Sequence, residues 1–176
     1  MTALNLSRLT LRAASVGDVE VIAEIWHRSW HDGHDGHVPV GLERHRQLAD
    51  FRRRVPERLE QTTVATIDSS VVGFVTVRED EIEQLYVAEL ARGTGVATAL
   101  LRNAEARIAA SFDRGWLSVV ERNSRARRFY ARNGWSDVGA IDYAPQTGSG
   151  TVPVPSRRYE KRLTPTEPQR SAGPSF

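Results

Sequence analysis

The sequence predicts one α/β domain, a sheet of about seven strands with about four helices, and three observations carry that expectation. Apolar residues switch between alternation and helical spacing in the order strand, two helices, three strands, helix, strand, helix, two strands. One apolar strand, Ile82 to Val87, runs through a glycine-bearing turn, Arg92-Gly93-Thr94-Gly95-Val96-Ala97, straight into a helical pattern. At 176 residues the chain is the size of one domain with a single well-buried core.

Leu9 to Arg12 alternates like an opening strand, and Ser15 with Asp18 can cap the helix that follows. In that helix Val19, Ile22, Ala23, Trp26 and Trp30 recur at helical spacing, which makes Trp26 and Trp30 core or cleft wall. The run His31-Asp32-Gly33-His34-Asp35-Gly36-His37 is expected to break the pattern as a flexible loop. Leu42, Leu48, Phe51 and Val55 suggest a second helix, and Pro56 suits the start of a further turn. Val64 to Ile67 and Val71 to Val77 form a hairpin around Asp68-Ser69-Ser70, so three strands precede the glycine turn. A helix from Val96 to about Ala110 leads to a strand at Trp116 to Val120 and a helix at Arg125 to Arg132. Strands near Ser136 to Tyr143 and Arg157 to Arg162 follow, with a Gly/Pro/Ser-rich loop, Pro145 to Ser156, between them. The domain is expected to span residues 1–163, and Thr164 to Phe176, with Pro165, Pro168 and Pro174, reads as a disordered tail.

The formal charge is +2 and the basic side is almost all arginine, Lys161 being the only lysine. Clusters at Arg52 to Arg54 and Arg125 to Arg128 lie on helical stretches, where solvated faces or phosphate contacts explain them. No basic stripe interleaved with aromatics argues for nucleic acid. Without cysteine the chain has neither a disulfide framework nor a thiol nucleophile. Met1 to Arg8 lacks the apolar run of a signal peptide, and no stretch approaches the ~20 apolar residues of a membrane helix, so a cytoplasmic protein is expected.

The glycine turn suits a phosphorylated ligand. Glycine lets the backbone turn tightly and approach a ligand, and the first amides of the following helix lack intrahelical acceptors. Helix polarity favours an anion there, and Arg92 can add a charge-assisted contact. The turn reads Arg92-x-x-Gly95-x-Ala97, and about twenty residues later comes Leu117-Ser118-Val119-Val120-Glu121-Arg122-Asn123, with Ala126, Phe129-Tyr130 and Gly134-Trp135 beyond it. These two segments, in this order and separation, resemble the two signatures of the GNAT N-acetyltransferase superfamily over about Leu9 to Leu163.

That resemblance implies a three-layer fold with a mixed sheet splayed between the fourth and fifth strands, into which pantetheine inserts like an extra strand. It implies acetyl-CoA as co-substrate, held by Leu85, Tyr86, Val87, Arg92, Gly93, Thr94, Gly95, Val96, Ala97, Thr98, Asn123, Arg127 and Tyr130. A main-chain amide near Leu85 to Val87 would meet the thioester oxygen. Asn123 resembles the family residue that hydrogen-bonds pantetheine or the following helix; a plain N-cap, with Ser124 competing, is the other reading.

Acetyl transfer to an amine requires deprotonating an alkylammonium of pKa about 10 and protonating a leaving thiolate whose acid is near 8.5, roughly. Tyr130 is the candidate acid. Glu81 and Glu83 lie two apart on a strand and share a face, with Glu81 the preferred base and Glu83 the preferred substrate contact. Trp26, Trp30, His31 and His34 are the other acceptor-side candidates, with His37 in the same loop; Asp-Gly spacers argue against a zinc site there. The acceptor is expected to be a primary amine, a small molecule before a protein N-terminus or lysine, and a homodimer stays open. Two rivals differ in class. A dinucleotide oxidoreductase would need a third glycine where Thr98 stands. An acyl-CoA-binding regulator without turnover would have no use for Tyr130 and the paired glutamates.

Overall fold

Nine strands are formed among the described residues: β1 (Thr10–Ala13), β2 (Thr62–Ile67), β3 (Ser70–Arg78), β4 (Glu81–Val87), β5 (Arg114–Val120), β6 (Ser136–Tyr143), β7 (Gln146–Thr147), β8 (Gly150–Thr151) and β9 (Val154–Arg162). The computed structural model describes residues 6–34, 47–143, 146–147, 150–151 and 154–163. Seven strands join in the order β1-β2-β3-β4-β5-β9-β6, and β7 pairs with β8 as a separate hairpin. Every neighbouring pair is antiparallel except β4 and β5, which run parallel and share a single register pair, Glu81 with Trp116. Beyond that point the two strands part, which is the splay the resemblance implied.

Sequence alternation places the core on both faces of this sheet. On β2 and β3, Val64 and Phe74 point one way and Ala65 and Val75 the other, so all six residues of β2 are buried. One face is covered by α1 (Val19–His34) and α2 (Leu48–Arg54), whose Ile22, Trp26 and Phe51 pack on Val64 and Phe74. The other is covered by α3 (Val96–Ala109) and α4 (Ser124–Arg132), with Leu100, Leu101, Ile108 and Tyr130 against Val75, Leu117 and Tyr159. Phe51 and Phe74 are completely buried, so truncating either to Ala costs about 3–5 kcal/mol. The β2–β3 hairpin turns at Asp68 and Ser69, both with positive φ, the primed-turn geometry whose twist suits the flanking strands.

Three expectations are corrected. α1 does not stop at His31 but continues to His34, because the His27 and His31 rings, one helical turn apart, meet at 4.7 Å and offset the weak helix preference of Asp32-Gly33. The Pro145–Ser156 segment is not structureless, since it holds the β7–β8 hairpin, and β9 begins at Val154 rather than near Arg157. His37 and the proposed tail, residues 164–176, lie outside the described residues. Among the described residues no helix is long and apolar enough to cross a membrane.

Candidate active site

The parting of β4 and β5 is pinned at one end. Trp116 donates its main-chain N–H to Asp80 O at 2.9 Å and its indole N–H to Asp80 Oδ1 at 3.2 Å. The Arg158 guanidinium lies 4.2 Å from the centre of the same indole ring. Toward their C-terminal ends the strands are free of each other. Ala88 N–H donates to Val72 O at 2.9 Å, and the alternation of an antiparallel ladder then turns the main-chain groups of Leu85 and Val87 away from β3, into the gap. In keeping with this, Val87 O accepts from Ser29 Oγ on α1 at 3.3 Å.

At the open end the chain passes Glu89–Ala91, a short 3-10 turn, and enters α3 through Gly93 and Gly95, whose φ angles of 75° and 98° are strained for any residue with a Cβ. Gly95 is the N-cap of α3 and brings no capping side chain, and the first turn contains no acid. Ala99 N–H closes on Gly95 O at 3.0 Å, which leaves the N–H groups of Val96, Ala97 and Thr98 without intrahelical acceptors. Thr94 is not a free donor, because its hydroxyl is given to Ala91 O at 2.6 Å. This is an anion cradle built from main chain. Arg92, the expected phosphate contact, is paired with Asp32 on α1 at 2.6 Å.

Across the gap stands Tyr130 on α4, packed against Phe129, Trp135 and Tyr159 with ring centres 5.2, 6.3 and 6.2 Å away. Burial, and then the neighbouring Tyr86 of β4, push its phenol well above the ordinary range, and no hydrogen bond contributes. The hydroxyl therefore keeps its proton at neutral pH. Asn123 is the N-cap of α4, its Oδ1 accepting from Ala126 N–H at 3.0 Å, while Ser124 is the first helical residue. Arg127 points toward β9 and β6, donating to the Tyr159 hydroxyl at 3.2 Å and to Asp137 Oδ2 at 3.4 Å.

On the α1–α2 side, β4 carries a bulge. Gln84 pairs with Thr76 and Ile82 with Val77, so Glu83 is the extra residue. Glu81 and Glu83 repel one another, as their shared face requires. Partial burial first, and Glu83 second, raise the half-buried Glu81 carboxyl to about 7. Glu83 is held differently: Arg58 donates to its two oxygens at 3.0 and 3.2 Å through Nε, and both side chains are largely buried. The expected substrate contact thus has a resident partner. Trp26 and Trp30 are buried, and Trp26 packs edge-on or tilted against Phe51, Phe74 and Tyr86. His31 is half-buried on α1 beside Trp30, and the side chain of His34 lies outside the described set.

Sequence reasoning missed Arg54, Arg58, Ser29 and Asp32. The Arg52-Arg53-Arg54 run reads as one solvated cluster, yet Arg52 pairs with Glu20 at the surface while Arg54 turns inward over Trp26. Only the pitch of a helix whose apolar stripe holds Phe51 and Val55 could have separated them.

A mixed sheet parted beside a glycine-entered helix defines a fold of the α/β class. The family model described as "Acetyltransferase (GNAT) domain" matches residues 58–137. An uncharacterized N-acetyltransferase of Mycobacterium tuberculosis is 29% identical over 112 residues, covering 58% of this chain and 70% of the relative. A GCN5-related N-acetyltransferase from Rhodopseudomonas palustris superposes with a TM-score of 0.71 at 20% identity, covering 93% of this chain and 99% of that one. PaiA N-acetyltransferase from Thermoplasma acidophilum, in complex with coenzyme A, superposes with a TM-score of 0.63 at 21% identity, covering 88% and 98%. The chain is thus similar to GNAT acetyltransferases in sequence over residues 58–137 and in fold over most of its length.

Proposed function

We propose that this chain is an N-acetyltransferase that moves the acetyl group of acetyl-CoA to a primary amine of a small molecule, by direct attack while both are bound. One observation carries the reading: Glu81 and Tyr130 both hold a proton more tightly than usual, which leaves a carboxyl poised near neutrality and a phenol that stays protonated, as the two proton problems require. Glu81 stands on β4, and Tyr130 on α4 is close enough to Tyr86 of the same strand to feel its charge.

Acetyl-CoA supplies the activated thioester. The cradle fits its diphosphate, since Gly93, Gly95 and the N–H groups of Val96, Ala97 and Thr98 offer donors with no competing acid in the first turn. The relative that holds coenzyme A supports the same assignment. The main chain of Leu85 and Val87 would line the pantetheine and offer an amide to the carbonyl oxygen as it gains charge. Glu81 takes the proton from the ammonium, and Tyr130 gives its proton to the departing sulfur. We read residues 1–163 as the unit that does this. A free-CoA release assay across an amine panel, run beside acetyl-CoA-dependent melting shifts, tests the proposal. Stabilisation with release supports it, whereas neither with any amine sinks it.

A further inference from the structure

We propose that the amine acceptor also carries a carboxylate, which Arg54 binds from the α1–α2 side of the site. This rests on reading the opening beside β4 as the place of acetyl transfer. Arg54 is the last residue of α2, and its guanidinium lies 5.0 Å from the centre of the Trp26 ring. It is half-buried, and among the described residues it forms no hydrogen bond or ion pair through its side chain. Its neighbours differ: Arg52 pairs with Glu20, and Arg58 with Glu83 and Glu57. Five N–H donors withdrawn from bulk water and stacked on an indole are costly to hold without an acceptor. Burial and then Arg58 weaken its hold on its proton, and Glu83, Tyr86 and Glu57 offset this only in part.

The groups that face Arg54 locate it. Besides Arg58 and Glu57 they are Glu83 and Tyr86, both on β4, the strand that also bears Glu81. An anion on Arg54 therefore has its other end beside the candidate base. Charge decides which anion. Arg58 takes the hydrogen bonds of both Glu83 and Glu57, so the four charges balance while Arg54 is left with no acceptor of its own. A planar monoanion fits the guanidinium fork through two parallel hydrogen bonds, whereas a phosphate dianion would set its second charge against Glu83 and Glu57. The acceptor class is thus a small amino acid or a derivative that keeps its carboxylate.

The experiment is CoA release with ω-amino acids of increasing chain length, each beside the alkylamine that lacks the carboxylate. The native protein should favour at least one amino acid over its alkylamine by ~10–100-fold in kcat/KM, the range of a hydrogen-bonded charge pair. Arg54→Gln should collapse that preference by raising KM while leaving kcat within about threefold. Its acetyl-CoA-dependent melting shift should persist, which shows that it is folded. Should Arg54→Gln not fold, Arg54→Lys keeps the charge without the fork and should lose most of the preference. Native protein that takes alkylamines as readily as amino acids, or that gains melting temperature with acetyl-CoA but acetylates none of the amino acids, overturns the inference and leaves the cofactor assignment standing. A native protein with neither stabilisation nor release removes the acetyltransferase reading itself. An unchanged preference in a folded Arg54 variant transfers the carboxylate to another residue and overturns the assignment of Arg54.

Discussion

In the proposed reaction two residues would divide the chemistry, and each has a separate signature. Glu81 has a folded-state pKa of about 7 against an ordinary 4.5, so between those values the folded protein binds a proton that the unfolded chain has released. Stability from this group is therefore present below the lower value and falls as pH rises toward the upper one. Glu81→Gln escapes that loss: it should melt like the native protein at pH 4 and higher than it at pH 8. The gain is on the order of 1 kcal/mol once solvent screening of a partly exposed group is allowed for. Activity should move the other way, with kcat/KM down about 10²–10³-fold at pH 7 and recovering above pH ~9, where free amine is plentiful. A variant that is both less stable at pH 8 and fully active at pH 7 would remove Glu81 from the role of base. Tyr130→Phe deletes a hydroxyl that takes part in no hydrogen bond affecting its ionisation. Melting temperature and the acetyl-CoA shift should hardly change, while kcat falls about 10²–10⁴-fold; native turnover in that variant, with chemistry limiting, would make Tyr130 structural.

At the scale of elements, the start of α3 should respond with opposite signs to one substitution. Thr98→Asp puts a carboxylate where helix polarity welcomes it, worth about 0.3–1 kcal/mol, and where a diphosphate would be repelled. Apo melting temperature should hold or rise while acetyl-CoA affinity falls about tenfold or more; undiminished affinity would move the diphosphate elsewhere. The contact between α1 and the turn gives a second test. Asp32 competes for Arg92, so Asp32→Asn should lower the KM for acetyl-CoA and flatten its salt dependence, and an unchanged KM would show that Arg92 is not recruited. Much of this was legible in the sequence, because glycine spacing and strand alternation are local: Gly95, the β4 strand and the Asn123 to Tyr130 segment all stand where periodicity put them. The bulge at Glu83 was not, since an extra residue is visible only against the register of β3. Nor were the partners of Glu83 and Arg92, which lie 25 and 60 positions away in the chain and are set by packing. The extension of α1 through His34 escaped because Asp32-Gly33 reads as a breaker, and only the edge-to-face rings of His27 and His31 before it say otherwise.

The molecule as a whole is jointed. The seven-stranded sheet is splayed as the resemblance implied, and its parts at residues 10–87 and 114–162 share a single ladder pair, Glu81 with Trp116, beside the hydrogen bonds of Trp116 to Asp80. Each part has its own hydrogen-bonded ladder, so in the apo protein main-chain amides should exchange with deuterium as two groups with distinct opening free energies. The amides of Leu85 and Val87, turned toward the gap, should be among the fastest in β4. Saturating acetyl-CoA should slow those two amides and bring the groups toward a common opening free energy, and two groups that stay separate under saturation would show that no ligand spans the parting. Loading the cofactor should then also change cooperativity: what is expected to open as two units when empty should open as one when charged, and resistance to proteolysis should track the supply of acetyl donor.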